Sequence, residues 1–220
     1  LDPATGAITH HLTRVCGDQI NRSVHETRTG HVWVGCNFTL ARFDPRTREV
    51  KRWELGEQAA SAAHEIGTIV EQADGTLWFM SATMIERRTP DGRLLEAVRP
   101  GDGRGVPSQV AFRQSILGPD GVIWLATTGG VYRWNASGRR FSLVPGSPQQ
   151  LVSAITVHGN DSVWIAGAGT LDELRWNGTA LEHRRGFGRA SGLPQVAPGG
   201  MRVDDSGAVW MTTSRGLVRF

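Results

Sequence analysis

Apolar and polar residues fall in short runs along this chain, and the runs are punctuated by glycine, asparagine and aspartate. Residues 109–144 show the unit. QVAFRQSIL (109–117) is rich in apolar and β-branched residues, GPDG (118–121) is a turn, and VIWLAT (122–127) is a second apolar run. TGG (128–130) turns again, VYRWN (131–135) is a third run, ASG (136–138) a turn, and RRFSLV (139–144) a fourth. Runs this short, separated by turn residues, predict antiparallel strands rather than helices. The paired glycines permit the positive φ that a tight hairpin needs. No segment sustains a helical period beyond about ten residues. The alanine-rich stretch at 57–65 is the place where one turn of helix is expected.

The unit recurs. GHVWVGCNFTLARF (30–43), GTLWFMSATMIERR (75–88), GVIWLATTGGVYRW (121–134), DSVWIAGAGTLDELRW (161–176) and GAVWMTTSRGLVRF (207–220) align on Trp33, Trp78, Trp124, Trp164 and Trp210, spaced 45, 46, 40 and 46 residues apart. An arginine stands nine residues after the tryptophan in four copies (Arg42, Arg87, Arg133, Arg219); two extra residues in the fourth move it to Arg175. Four strands per 40–46 residues is the period of a propeller blade. One four-stranded sheet leaves both faces uncovered, and stacking sheets around an axis buries those faces between neighbours. The predicted fold is therefore an all-β propeller of four-stranded antiparallel blades, as one region over 1–220. The blades are expected over 18–55, 63–98, 108–144, 150–184 and 194–220, with each tryptophan filling a gap between blades. LDPATGAITHHL (1–12) resembles the outer strand DPRTREVKRWEL (44–55). It is the expected fourth strand of the last blade, which leaves two arrangements open: a closed five-bladed ring, or part of a larger one.

The strings DGVIWLATTGGVYRWN, DDSGAVWMTTSRGLVRF and TGHVWVGCNFTLARFDPRT resemble the two-component regulator propeller repeat, in five copies over nearly the whole chain. The resemblance implies a sensor propeller of bacterial hybrid histidine kinases and related regulators. Such a propeller lies outside the cytoplasmic membrane, in the periplasm, and in several cases recognises carbohydrate breakdown products. The second copy lacks the glycine turn after its tryptophan, and the fourth carries its two-residue insertion. Nothing in the chain resembles a kinase or a helix-turn-helix.

Composition narrows the function. Net charge is +3, and of 24 basic residues only Lys51 is lysine. Basic residues occur in no block longer than a pair, which lacks the clustering of a nucleic-acid footprint. No run of eighteen apolar residues is present, so no segment of the chain is expected to contact a membrane. Seven scattered histidines show no recurring ligand spacing, and neither a metal nor a cofactor is expected.

In a propeller the first strand of each blade lines the axis. A glutamine or glutamate precedes an aliphatic residue where each inner strand begins: Gln19, Glu65, Gln109, Gln150 and Gln195. Rotational symmetry would set these in a ring at one mouth, where amides that both donate and accept suit a polyhydroxylated ligand. The competing reading has them bridging backbone between blades. Asn21, Arg22, His64 and Arg113 come next inward, and an arginine fork suits a carboxylate or phosphate. Cys16 and Cys36 approach one end of the first blade, where either a disulfide or two buried thiols fit. The expected function is sensing of a small polar or carbohydrate ligand at the axial mouth, passed on through subunit arrangement in a homodimer of the parent protein. The alternatives are a propeller lyase or hydrolase of the streptogramin-lyase kind, with a metal-assisted site at His64 and Glu65, and a scaffold that presents a surface to a partner protein.

Overall fold

The computed structural model describes residues 5, 15–16, 21–37, 39–55, 65–167, 169–195 and 198–220, with residues 21 and 22 as backbone alone. All but Thr5 of the strand expected over 1–12, and all but Glu65 of the helical turn expected over 57–65, lie outside the described residues. Five antiparallel sheets follow one another as the blades of a β-propeller. Blade one is β1 (Asn21–Glu26), β2 (Val32–Cys36), β3 (Thr39–Phe43) and β4 (Val50–Glu54). Blade two is β5 (Thr68–Glu71), β6 (Leu77–Met80), β7 (Ile85–Arg88) and β8 (Leu94–Val98). Blade three is β9 (Phe112–Leu117), β10 (Ile123–Thr127), β11 (Gly130–Asn135) and β12 (Arg140–Leu143). Blade four is β13 (Ala154–His158), β14 (Ser162–Gly167), β15 (Thr170–Trp176) and β16 (Leu181–Phe187). Blade five has three strands among the described residues: β17 (Gly200–Val203), β18 (Val209–Thr213) and β19 (Gly216–Arg219). The inner strands abut in sequence, β1 on β5, β5 on β9, β9 on β13 and β13 on β17.

The core lies between blades. Trp33 is buried with Leu77 and Phe79 of the next blade, Trp78 with Phe112 and Ile123, Trp124 with Ile155 and Val163, and Trp164 with Met201 and Val209. Four tryptophans thus fill one slot, four times over. The fifth does not: Trp210 is only half-buried, and Leu217 beside it on the hairpin is 63% exposed.

The arginine of the repeat is explained by register. Arg42, Arg87, Arg133 and Arg219 stand directly opposite the tryptophan on the neighbouring strand. Arg87 pairs with Asp74 at 2.7 Å and Arg133 with Asp120 at 2.5 Å, aspartates of the turn that precedes the tryptophan strand. The same turn takes the indole N–H: Trp124 donates to Asp120 at 3.1 Å and Trp210 to Asp204 at 2.7 Å. The hydroxyl of Ser206, then that indole, hold the Asp204 carboxyl well below the usual carboxylate range. In blade four the insertion places Glu173 opposite Trp164. Arg185 of β16 pairs with Glu173 at 2.5 Å and lies 5.4 Å over the Trp164 ring, so a different arginine covers the indole.

The second copy keeps its hairpin without glycine. Ser81 Oγ accepts from the backbone N–H of Thr83 and Met84, at 3.3 and 3.1 Å. Thr127 and Thr213 make the corresponding staple, with their hydroxyls donating to Gly130 O and Gly216 O at 2.8 and 3.0 Å. The glycines at 130 and 216 carry φ of 113° and 117°, whereas Met84 is not among the positive-φ residues. The side-chain staple, rather than the glycine, is the shared element.

A disulfide joins Cys16 to Cys36 with Cα atoms 5.8 Å apart. It ties the segment ahead of β1 to the end of β2, within a cluster that includes Val34 and Ala41.

Blades two and three are also joined by charge. Glu96 on β8 accepts from Arg104 at 2.8 Å and from Arg139 at 3.0 Å, the latter reaching across from the β11–β12 turn. Burial works to raise the Glu96 pKa, but these arginine hydrogen bonds and charges outweigh it, and the group titrates below its ordinary value. A depressed carboxyl stabilises the folded state above its unfolded pKa of about 4.3, and that contribution is lost as pH falls through the folded value. Glu96→Gln is therefore expected to destabilise by on the order of 1 kcal/mol at pH 7, given that both arginines are partly exposed, and by much less near pH 3. Urea midpoints of both proteins at the two pH values test this; an equal loss at both would remove the electrostatic account.

Candidate functional site

Three of the inner strands, β5, β9 and β13, are set against the preceding blade by backbone hydrogen bonds at or near their starts. The N–H groups of Ile66, Phe112 and Val152 donate to carbonyls of the preceding blade, at Cys36, Ala82 and Thr127, with distances of 3.3, 2.9 and 2.9 Å. These three residues hold equivalent places in blades two, three and four. Against that frame Glu65 lies one residue upstream, Gln109 three and Gln150 two, so the acid and the two amides do not share a register.

Glu65 is half-buried, whereas Gln109, Gln150 and Gln195 are exposed on the loops that enter the inner strands. The Gln195 amide sits against the blade-four hairpin. A Cβ added at Gly169 would displace it, and the φ of +77° at that position favours glycine. Gln19 and His64 lie outside the described residues, and Asn21 and Arg22 are described in backbone only.

Arg113 occupies a distinct place. In the β9–β10 ladder Phe112 pairs with Thr127 and Gln114 with Ala126, so the register passes over Arg113. Bulges of this kind re-aim a side chain out of the sheet's alternation. Arg113 is exposed, and among the described residues its guanidinium makes no hydrogen bond or ion pair. The β1–β2 ladder skips in the same way, pairing Asn21 with Cys36 and Ser23 with Gly35, which passes over Arg22. Two arginines predicted at the mouth therefore occupy one structural position in blades one and three.

The polar residues next along the inner strands are engaged between blades. Ser23 Oγ donates to Ile66 O at 2.7 Å, Thr68 and Ser115 share a hydroxyl hydrogen bond at 2.7 Å, and Gln114 Oε1 accepts from Ile155 N at 2.9 Å. Sequence reading missed this bridging layer. Its signal is a polar side chain at Ser23, Thr68 and Gln114, two residues after the interblade donor's place. At the other end of β1, His25 Nε2 lies 3.5 Å from Glu71 Oε2 of blade two rather than serving its sequence neighbour Glu26. Glu71 also accepts the Arg28 backbone N–H at 3.1 Å and its Nε at 3.3 Å. Among the described residues, no three His, Cys, Asp or Glu side chains stand close enough to share a metal ion.

Neither a protein-family model nor a curated protein matches the chain. Solved structures do. The extracellular domain of a hybrid two component system of B. thetaiotaomicron matches with a TM-score of 0.75 and 15% identity, over 100% of this chain and 30% of that one. Virginiamycin B lyase of Staphylococcus aureus matches with a TM-score of 0.69 and 17% identity, over 95% of this chain and 72% of the lyase. A luciferin-regenerating enzyme gives 0.61 and 12%, over 92% and 72%. At these identities the likeness establishes the propeller fold, and the neighbours include extracellular domains of hybrid two component systems, the class of protein that the repeat strings resemble. Among the described residues, no helix is long and apolar enough to cross a membrane.

Proposed function

We propose that this chain is the ligand-sensing, extracytoplasmic propeller portion of a bacterial two-component signalling protein, binding a small polar or sugar-like ligand at the axial mouth. The observation that carries the reading is Arg113. A strand position diverted by a bulge, an exposed guanidinium and no described partner together make an arginine available to a ligand. Gln109 and Gln150 on the adjoining loops supply amides to hydroxyls. The Cys16–Cys36 disulfide suits an oxidising compartment, as a periplasmic or extracellular domain requires. Ligand binding shifts populations only through differential affinity for two arrangements, so the output lies in how propellers pair within a dimer of the parent protein.

The test is a thermal-shift and calorimetric screen of neutral and acidic oligosaccharides against the wild type and Arg113→Ala. The expected result is a ligand whose affinity falls roughly tenfold or more in the variant, in line with loss of a charge-assisted hydrogen bond of about 1.5–3 kcal/mol. The likeness to virginiamycin B lyase supports a second reading, an enzyme. A screen without any stabilising ligand, together with turnover of a streptogramin that is lost in His64→Ala or Glu65→Gln, would replace the sensor with the lyase.

A further inference from the structure

A cavity of about 260 Å³ opens between blades three and four on the outer side of the propeller, lined among others by Arg133, Asn135, Ser142, Pro145, Trp176 and Thr179. Its origin is visible by comparison with the junction of blades two and three. There Glu96 stands opposite Arg87 on the neighbouring strand, and Arg104 and Arg139 close on it. At the next junction the residue opposite Arg133 is Ser142. The place of Arg104, whose carbonyl accepts from Phe141 N, is taken by Pro145, whose carbonyl accepts from Leu181 N. The turn that carries Arg139 runs between Trp134 and Phe141; its counterpart between Trp176 and Leu181 is two residues shorter and has no arginine. All three members of the ion cluster are thus replaced, and the space they fill in one junction is open in the other. The first junction is closed in another way: a Cβ at Gly92 would run into Trp53, whereas one at Gly178 meets nothing within 4 Å.

The lining is rich in donors and holds no acid. Arg133 gives Nε to Asp120, and its terminal nitrogens have no hydrogen bond among the described residues. Asn135 Oδ1 is committed to Ser137 Oγ at 2.7 Å and Gly138 N at 3.0 Å, which leaves its NH₂ as a donor. The Ser142 hydroxyl has no partner among the described residues, and Thr179 Oγ1, donating to Asn177 Oδ1 at 3.0 Å, keeps lone pairs to accept. Trp176, buried edge-on against Trp124 at 4.9 Å, forms an apolar wall.

We infer that this junction is a second ligand site, separate from the axial mouth, for a sugar acid of monosaccharide size. The volume lies just below the range of about 300–1,000 Å³ typical of drug-sized ligands and suits one sugar ring. A carboxylate takes the terminal nitrogens of Arg133, whose Nε is already given to Asp120, while ring hydroxyls meet Asn135, Ser142 and Thr179. An excess of donors selects an acceptor-rich anion over a neutral sugar.

Isothermal titration with glucuronate and glucose tests the site. The wild type should bind glucuronate at least tenfold more tightly than glucose. Ser142→Glu restores the acid of the neighbouring junction, and Ser142→Phe fills the space without charge. Both change an exposed position, both should keep the wild-type melting temperature, and both should weaken glucuronate tenfold or more. Repeating the titrations in an Arg113→Ala background removes the mouth's contribution, and both serine variants should still weaken glucuronate tenfold or more there. Absence of glucuronate binding in that background, equal affinity for the two sugars there, or undiminished binding in either serine variant would each overturn the inference.

Discussion

Trp124→Ala should destabilise the propeller by about 3–5 kcal/mol, the cost of truncating a large buried aromatic and leaving a cavity. The indole is fully buried at the junction of blades three and four, stacked edge-on to Trp176 with planes at 84°. A Cβ on Gly118 would collide with its ring, so the turn beneath it is fitted to the indole and cannot readily collapse into the void. Among the described residues, the substitution also leaves Asp120 with Arg133 and the Val122 N–H as its partners. Trp210→Ala is the internal comparison. Same repeat position, same aspartate hydrogen bond and an arginine 5.7 Å over its ring, yet only half-buried, it should cost nearer 1 kcal/mol. Urea unfolding of both variants reads the difference directly. Equal losses would mean that the fifth tryptophan is covered in solution as fully as the other four, and that the repeat, rather than the neighbouring blade, sets the energetics.

That contrast also marks what the amino-acid pattern discloses. Apolar runs, turn residues and the tryptophan period give the blade, because each strand's partner is the next strand and the signals are local. The arginine nine positions after tryptophan is legible as a regularity, and its reason becomes plain only in register, where it faces the indole and the turn aspartate. The insertion in the fourth copy looks like an interruption in the chain. In space it brings Glu173 opposite Trp164 and recruits Arg185 from the outer strand.

The mouth is less legible for a physical reason. Loops that enter the inner strands differ in length, so Glu65, Gln109 and Gln150 precede equivalent residues by one, three and two positions. Their common sequence signature does not give them a common register. Conversely, Arg22 and Arg113 share no motif in the chain but share the skipped register of a bulge. The lateral cavity is invisible in any single repeat, since it arises from what blade four lacks relative to blade three.

Reducing the Cys16–Cys36 bond should lower stability by about 3 kcal/mol, the loop-closure figure for a separation of 20 residues. The effect is not confined to loop entropy. Cys36 ends β2, opposite Asn21, and its carbonyl accepts from Ile66 N, so the bond braces the strand end on which blade two is seated. Reduction should therefore first expose the backbone amides of β1 and β2 to hydrogen exchange, with Ile66 following, while blade three keeps its protection. Cys16→Ser should reproduce the reduced protein, and adding dithiothreitol to that variant should change nothing further. Wild-type midpoints that are the same with and without reductant would remove both the brace and the compartment argument, since a domain indifferent to reduction gives no reason to place it in an oxidising space.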